Sequence, residues 1–376
     1  MNKLILELTK KLISKKSISP NDSGCQSILI KYLKKQNFYT EVMKFHDTTN
    51  LWAYHGNKGK TLVFAGHTDV VPTEDNHWIS KPFSAYIKNG FIYGRGASDM
   101  KGAISAMIVA ANKFVKKYPL HKGKLAFLIT SDEENLAING SVKVIQTLIK
   151  RKEKINYCVI GEPTSKNKIA DTIKHGRRGS LTGVLTINGI GGHIAYPDLV
   201  KNPIHLILPC LNELIKNEWN KKTEFFPSTK IQIYSINTDN IVNNSIPKKI
   251  KIKFNFRYSP NITQKEIQKI VQKIIKKYLS DFQIKWISFA SPFLNKPSKL
   301  VKIVNEVIYQ NCGYFPKLST DGGTSDGRFF NKIKGIQIVE LGLLNHTIHQ
   351  VNEYVQIQDL YKLSDLYFHI MKKILL

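Results

Sequence analysis

Acidic and imidazole side chains recur at the ends of apolar runs in this chain, the pattern by which a fold assembles a cation site. Lys124-Leu-Ala-Phe-Leu-Ile-Thr-Ser-Asp-Glu-Glu134 is the clearest instance. Leu125 to Thr130 reads as a buried strand that delivers Asp132, Glu133 and Glu134 at its C-terminal end. Loops beyond the carboxyl ends of strands in an open α/β sheet are where such folds place ligands. Adjacent glutamates repel each other unless something positive lies beside them, so a bound cation accounts for the triplet. A polar loop after a core strand is the other reading.

Three further segments repeat the arrangement. Lys60-Thr-Leu-Val-Phe-Ala65 reads as a strand ending in Gly66-His67-Thr68-Asp69-Val70-Val71-Pro72. His67 is either a hydrogen-bonded loop histidine or a metal-binding imidazole with Asp69 nearby to orient it. Ile155-Asn-Tyr-Cys-Val-Ile-Gly-Glu-Pro163 reads as a strand ending in Glu162. Phe91-Ile-Tyr-Gly-Arg-Gly-Ala-Ser-Asp-Met-Lys-Gly102 contains neither phosphate-loop pattern in full. Asp99 stands at the start of an amphipathic helix expected over 101–117, either as its N-cap or as a carboxylate shared between two cations. His349 lies in a polar segment with no apolar face to bury it.

The elements that must position these residues follow from periodicity. Helical spacing covers 2–15 and 22–35, and short strands are expected near 39–44 and 51–55. Helix 140–150 precedes a charge run, Lys150-Arg-Lys-Glu-Lys154, that reads as solvated. From Gly179 the order becomes strand 179–189, helix 202–220, strands 230–239 and 249–259, helix 263–279 and strand 281–290. That β-α-β-β-α-β order describes a ferredoxin-like insert, with an edge strand and a helix face open to dimerisation. It carries His193 in the glycine-flanked loop Gly191-Gly-His-Ile-Ala-Tyr-Pro197, and His175-Gly-Arg-Arg-Gly-Ser180 leads into it. Helix 301–311, the polar loop 319–328, strand 336–340 and helix 357–375 then complete the first domain. The expected domains are 1–178 with 293–376, and 179–292.

The 376 residues, 42% apolar and 22% charged, suit a globular protein with room for two cores. No run approaches a membrane span, and the first residues lack the apolar core of a signal peptide, so a cytoplasmic protein is expected. Cys25, Cys158, Cys210 and Cys312 have no paired spacing and read as core thiols. A net charge of +28 invites a nucleic-acid reading. However, only six of the 56 basic residues are arginine, and the lysines are scattered, as codon bias would leave them. Five of those arginines, Arg95, Arg177, Arg178, Arg257 and Arg328, fall within motif segments, where a planar two-pronged donor is needed.

Taken together, Gly-His-Thr-Asp-Val-Val-Pro, Gly-Arg-Gly-Ala-Ser-Asp-Met-Lys-Gly, Ser-Asp-Glu-Glu and Gly-Glu-Pro-Thr resemble the di-zinc aminoacylase and carboxypeptidase clan, peptidase family M20. His-Gly-Arg-Arg-Gly-Ser, Ser-Thr-Asp-Gly-Gly-Thr-Ser-Asp-Gly-Arg-Phe and Asn-His-Thr-Ile-His-Gln-Val-Asn-Glu narrow the resemblance to the family of succinyl-diaminopimelate desuccinylases. The match runs the whole length in order. It implies an α/β fold, a di-zinc aminopeptidase/carboxypeptidase-like catalytic domain with an inserted ferredoxin-like dimerisation domain.

The resemblance also implies roles. His67, Asp99 and Glu162 would hold one zinc, and Asp99, Glu134 and His349 the other, with cobalt able to substitute. Glu133 would be the general base, Asp69 would orient His67, and His193 of the partner subunit would stabilise the oxyanion. The implied substrate is N-succinyl-LL-2,6-diaminopimelate, met by Arg177, Arg178, Ser180, Tyr196, Asn244, Arg257, Gly323 and Thr324. Lys248 stands where that family usually has glycine. The alternatives are a related deacylase, such as an acetylornithine deacetylase, and a basic nucleic-acid-binding protein. The implied partners are the small substrate and a second copy of the chain, with no membrane and no specific nucleic acid.

Overall fold

The computed structural model describes residues 2–73, 77–239, 242–295 and 298–376. The chain forms two compact units: Met1–Gly176 with Leu294–Ser319 and Ser325–Leu376, and Arg177–Phe293 with Thr320–Thr324. The short piece Thr320–Thr324 groups with the second unit. Thr320 Oγ1 donates to the Phe225 carbonyl, and Arg177 donates to the Gly323 carbonyl.

In the first unit an eight-stranded mixed sheet runs in the spatial order 39–45, 48–55, 124–130, 61–67, 157–160, 337–340, 172–174, 317–319. Strand Thr61–His67 is central and parallel to both Lys124–Thr130 and Tyr157–Ile160, so His67 lies beside Thr130 at one end of the sheet. All three strands are almost wholly buried, which is why they read as continuous apolar runs without alternation. Helix Gly102–Lys117, rich in alanine, is buried along most of its length and packs against the closing helix Ile357–Leu375. Small side chains let these helices approach one another and the sheet. A Cβ on Gly342 would stand 2.3 Å from the Glu162 carbonyl oxygen, so only glycine permits that approach beside a site residue.

The second unit is a four-stranded antiparallel sheet, order 230–238, 249–258, 179–188, 283–290, with helices Pro203–Lys216 and Gln264–Lys276. Lys249–Tyr258 alternates strictly, Ile250, Ile252, Phe254, Phe256 and Tyr258 pointing into their own core. Thr263 and Glu266 form a capping box at the start of the second helix.

Several local expectations change. The segment before helix Gly102–Lys117 is not a capped helix start: Asp99 and Met100 have non-helical backbone angles, and no side chain caps the helix. The charge run 150–154 lies on the surface, where Arg151 grips both oxygens of Glu41 at 2.7 and 2.8 Å. Short strands Tyr86–Lys88, Phe91–Tyr93 and Tyr354–Gln356 form a small sheet that three-residue runs do not announce. All four cysteines are free thiols. Among the described residues no helix is long and apolar enough to cross a membrane.

At the far end of the central sheet from His67, His55 Nδ1 and His121 Nε2 approach to 2.8 Å, with Phe38 against one ring and Phe114 against the other. Burial lowers both imidazoles, His121 to about 4 with further help from the His55 charge. A histidine held neutral in the fold contributes stability that is complete above its unfolded value and is lost as pH falls toward its folded one. His121→Asn should therefore flatten the loss of stability between about pH 6.5 and 4 by about 1 kcal/mol, after discounting for partial exposure. Urea titrations of both proteins across that range measure it, and parallel profiles would contradict it.

Candidate metal centre

The first unit gathers residues from distant parts of the sequence into one cluster. His67 Nε2 lies 3.2 Å from Asp99 Oδ1 and 3.6 Å from Glu162 Oε1. His349 Nε2 lies 3.4 Å from Asp99 Oδ2 and 3.1 Å from Glu134 Oε1. Two trios result, His67–Asp99–Glu162 and Asp99–Glu134–His349, each with its donor atoms within 4.8 Å of one another. Asp99 belongs to both and presents a different oxygen to each imidazole.

Backbone partners hold these side chains in place. His67 Nδ1 contacts the Asp69 main-chain oxygen at 2.9 Å, whereas the Asp69 carboxylate is 3.7 Å away. That carboxylate instead accepts the N–H groups of Glu133 and Glu134, both at 3.0 Å. Asp69 thus orients the buried imidazole through its carbonyl and the glutamate pair through its side chain. Asp132 turns away from the trios, its oxygens accepting the N–H groups of Ala137 and Asn139. His349 adopts φ +61°, a left-handed conformation costly for a histidine, and Arg95 contacts its carbonyl.

Two further acids, whose local sequence gives them no role, also serve this cluster. Glu353 is fully buried and accepts four donors: the N–H groups of Gly96, Ser98 and Asp99, and the Arg95 guanidinium at 2.9 Å. Arg95 also donates to the Gln350 carbonyl at 3.1 Å. The pair knits the segment bearing Asp99 to the segment bearing His349. Its signal in the sequence is a glutamate ending the His349 motif, and only the small sheet beside it reveals the purpose. Asp326, buried next to Ser325, is pushed up to about 6, chiefly by burial.

The electrostatics describe a pocket short of positive charge. Burial, then the charges of Glu162, Asp326 and Glu134, hold the Glu133 carboxyl well above its ordinary range. Burial and Asp99 raise Glu134 likewise. Burial opposes the charged form of His67, but Asp99, Asp69 and Glu133 outweigh it and hold the imidazole well above its usual value. Hydrogen bonds to Asp99 and Glu134 push His349 up to about 10. Burial would neutralise Asp99, yet both imidazoles keep it ionised well below the usual carboxylate range. Nitrogen and carboxylate donors in trios suit divalent metal ions, which compete with protons for the two imidazoles. The residues therefore fit a two-cation site, and Glu133 is in neither trio.

The remaining predicted residues belong to the second unit. Arg177 is buried and donates to the Gly323 carbonyl at 3.1 Å, with Thr324 next in sequence. Ser180 faces Arg257 across the antiparallel pair, and Arg178 lies between Arg177 and that strand. His193 is backed by Asn244 at 3.4 Å and by Tyr196, whose ring centroid is 5.8 Å away. Ser245–Ile246 pairs with Gly192–His193 ahead of Lys248.

Glu353→Gln removes the charge partner of buried Arg95 and one of the loop's acceptors. It should cost about 3 kcal/mol in urea unfolding and weaken retention of divalent metal about tenfold. Metal content after gel filtration, alongside the unfolding curve, tests both, and full metal retention would contradict the role given to Glu353.

A profile of peptidase family M20/M25/M40 matches residues 63–373. The succinyl-diaminopimelate desuccinylase of Blochmanniella floridana is 49% identical over 381 residues, covering 99% of each chain. Among solved structures, the M20 family metallo-carboxypeptidase Sso-CP2 from Sulfolobus solfataricus superposes with a TM-score of 0.81 at 20% identity, covering 98% of each chain. The Bacillus subtilis YXEP protein, described as a dinuclear metal binding peptidase of family M20, gives 0.72 at 12% identity over 100% of this chain and 98% of its own. By the extent of the family match and of the sequence identity, this chain belongs to peptidase family M20/M25/M40.

Proposed function

We propose that the chain hydrolyses the succinyl amide of N-succinyl-LL-2,6-diaminopimelate, releasing succinate and LL-2,6-diaminopimelate for lysine and cell-wall precursor synthesis. The observation that carries this reading is end-to-end identity of 49% to a desuccinylase in a chain whose two donor trios share Asp99. His67, Asp99 and Glu162 would hold one zinc ion and Asp99, Glu134 and His349 the second, with cobalt able to replace zinc. Two such ions would supply an acidified water and a polarised amide carbonyl.

The chain's own groups do the rest. Glu133, raised in proton affinity by burial and then by its acidic neighbours, takes the proton of the attacking water and passes it to the leaving amine as the C–N bond breaks. The water oxygen becomes part of the succinate carboxylate. His193, whose Nδ1 accepts the Ala195 N–H at 3.1 Å, would present its other ring nitrogen to the oxyanion. In this reading the His193 loop serves the site of a partner subunit, and the protein is a homodimer. Exposed Tyr234 and Ile236 on the edge strand and Leu208 and Ile215 on the adjoining helix support association through the second unit. Arg177, Arg178 and Arg257, with Ser180, Tyr196, Asn244, Gly323 and Thr324, would meet the substrate's three carboxylates and free ammonium.

Hydrolysis of succinyl-diaminopimelate and of N-acetylornithine decides between this reading and a related deacylase. The succinyl substrate should be preferred in kcat/KM by about 100-fold or more, and preference for the acetyl substrate would overturn the assignment. Glu133→Gln should lower kcat about 1,000-fold while leaving two metal ions per subunit. Loss of metal in that variant would mean Glu133 is a ligand and not the base.

A further inference from the structure

The segment 15–22 lies before the residues matched by the family profile and supplies no donor to either trio, yet it is bonded to three of the loops that do. Ser17 Oγ donates to the Thr68 carbonyl at 2.6 Å, and the Val70 N–H returns to the Ser17 carbonyl at 2.9 Å, so both sides of the His67–Asp69 turn are held. Ser131 Oγ, two residues before Glu133, donates to the Pro20 carbonyl at 2.8 Å and accepts the Thr49 N–H. Lys101, two residues after Asp99 and fully buried, donates to the Lys15 carbonyl at 2.8 Å. Asp22 completes the strap: its carboxylate accepts the Thr68 hydroxyl at 2.8 Å. Ser17, Thr68, Ser131 and Asp22 are all buried.

We propose that this strap, acting chiefly through the Asp22–Thr68 and Pro20–Ser131 bonds, is a positioning element of the metal centre. Beyond their strand ends the ligand loops have few ladder partners, and a carboxylate or imidazole carried on a loop is only as well placed as the backbone under it. The strap gives those backbones fixed partners. Asp22 has a plainer structural duty, since it also accepts the Gln26 N–H at 3.1 Å in the first turn of helix Cys25–Lys34. Were that its whole contribution, loss of the Thr68 hydroxyl would affect folding alone.

This proposal rests on the two-cation reading, and the test separates them. Zinc is titrated into the metal-free full-length protein against a chromophoric chelator, with thermal unfolding of the metal-free protein followed in parallel. Wild-type protein taking up two zinc ions supports the two-cation reading, and no uptake overturns it together with the strap. Thr68→Val should weaken the ion held through His67 about tenfold, Ser131→Ala the ion held through Glu134 by a similar factor, and Thr68→Ser should restore wild-type affinity. Lowered unfolding midpoints with unchanged zinc affinity, in whichever of the two variants folds, would overturn the strap while leaving the metal centre intact.

Discussion

The structure depends on a concentration of like charge that its own residues only partly neutralise. Asp69, Asp99, Glu133, Glu134 and Glu162 surround two imidazoles, and Asp326 adds to the negative potential. In a low-dielectric interior such a group is tolerated only when hydrogen bonds and opposite charges take up each carboxylate. The chain arranges this in layers. Asp69 Oδ2 and both oxygens of Glu353 accept backbone N–H groups, Glu353 also the Arg95 guanidinium, whereas Asp99, Glu134 and Glu162 face His67 and His349. Acids on the outer layer build loops, and acids on the inner layer gather around the two imidazoles.

That layering explains why the central sheet is parallel where it is. Strands 61–67, 124–130 and 157–160 run the same way, so three loops leave one end of the sheet and bring His67, Glu133, Glu134 and Glu162 together without any long excursion. The other two contributors arrive by a different route. The small sheet pairing Phe91–Tyr93 with Tyr354–Gln356 brings the Asp99 segment beside the His349 segment, and Arg95 and Glu353 lock them. A residue near the C-terminus can therefore share an oxygen cluster with one in the first third of the chain. The left-handed backbone at His349 is held by the same lock, and its cost is met by bonds made elsewhere.

How much of this is legible in the sequence depends on how each feature is encoded. Buried parallel strands announce themselves as apolar runs, and the acids at their ends mark the loops, so His67, Glu133, Glu134 and Glu162 can be read as neighbours from local signals. The alternation of Lys249–Tyr258 and the capping box at Thr263 are local too. Glu353 and Asp22 are not legible, because each acts through backbone groups remote in sequence and looks like an ordinary polar residue in its own window. The same holds for the main-chain contact that orients His67: the motif suggests the Asp69 carboxylate, whereas the geometry uses the carbonyl. Asp99 reads as a helix start because a helix does follow, three residues later. Its N–H is taken by Glu353, and the intervening backbone leaves helical geometry.

The charge of the chain takes on a different meaning beside this centre. Acidic residues number 28, and those of the cluster, with Asp22, Asp132, Glu340 and Glu353, are buried or nearly so, leaving the surface still more basic than the net +28 suggests. Scattered lysines of this kind give a long-range attraction for anions without selecting among them. Selection needs forked donors at fixed positions, and buried Arg177 is held in that way against the Gly323 carbonyl. A tricarboxylate substrate would be drawn by the first property and recognised by the second. A cation must enter against the same surface field, so the inner layer of carboxylates has to hold it by local geometry, which is why the residues that fix that geometry matter as much as the donors themselves.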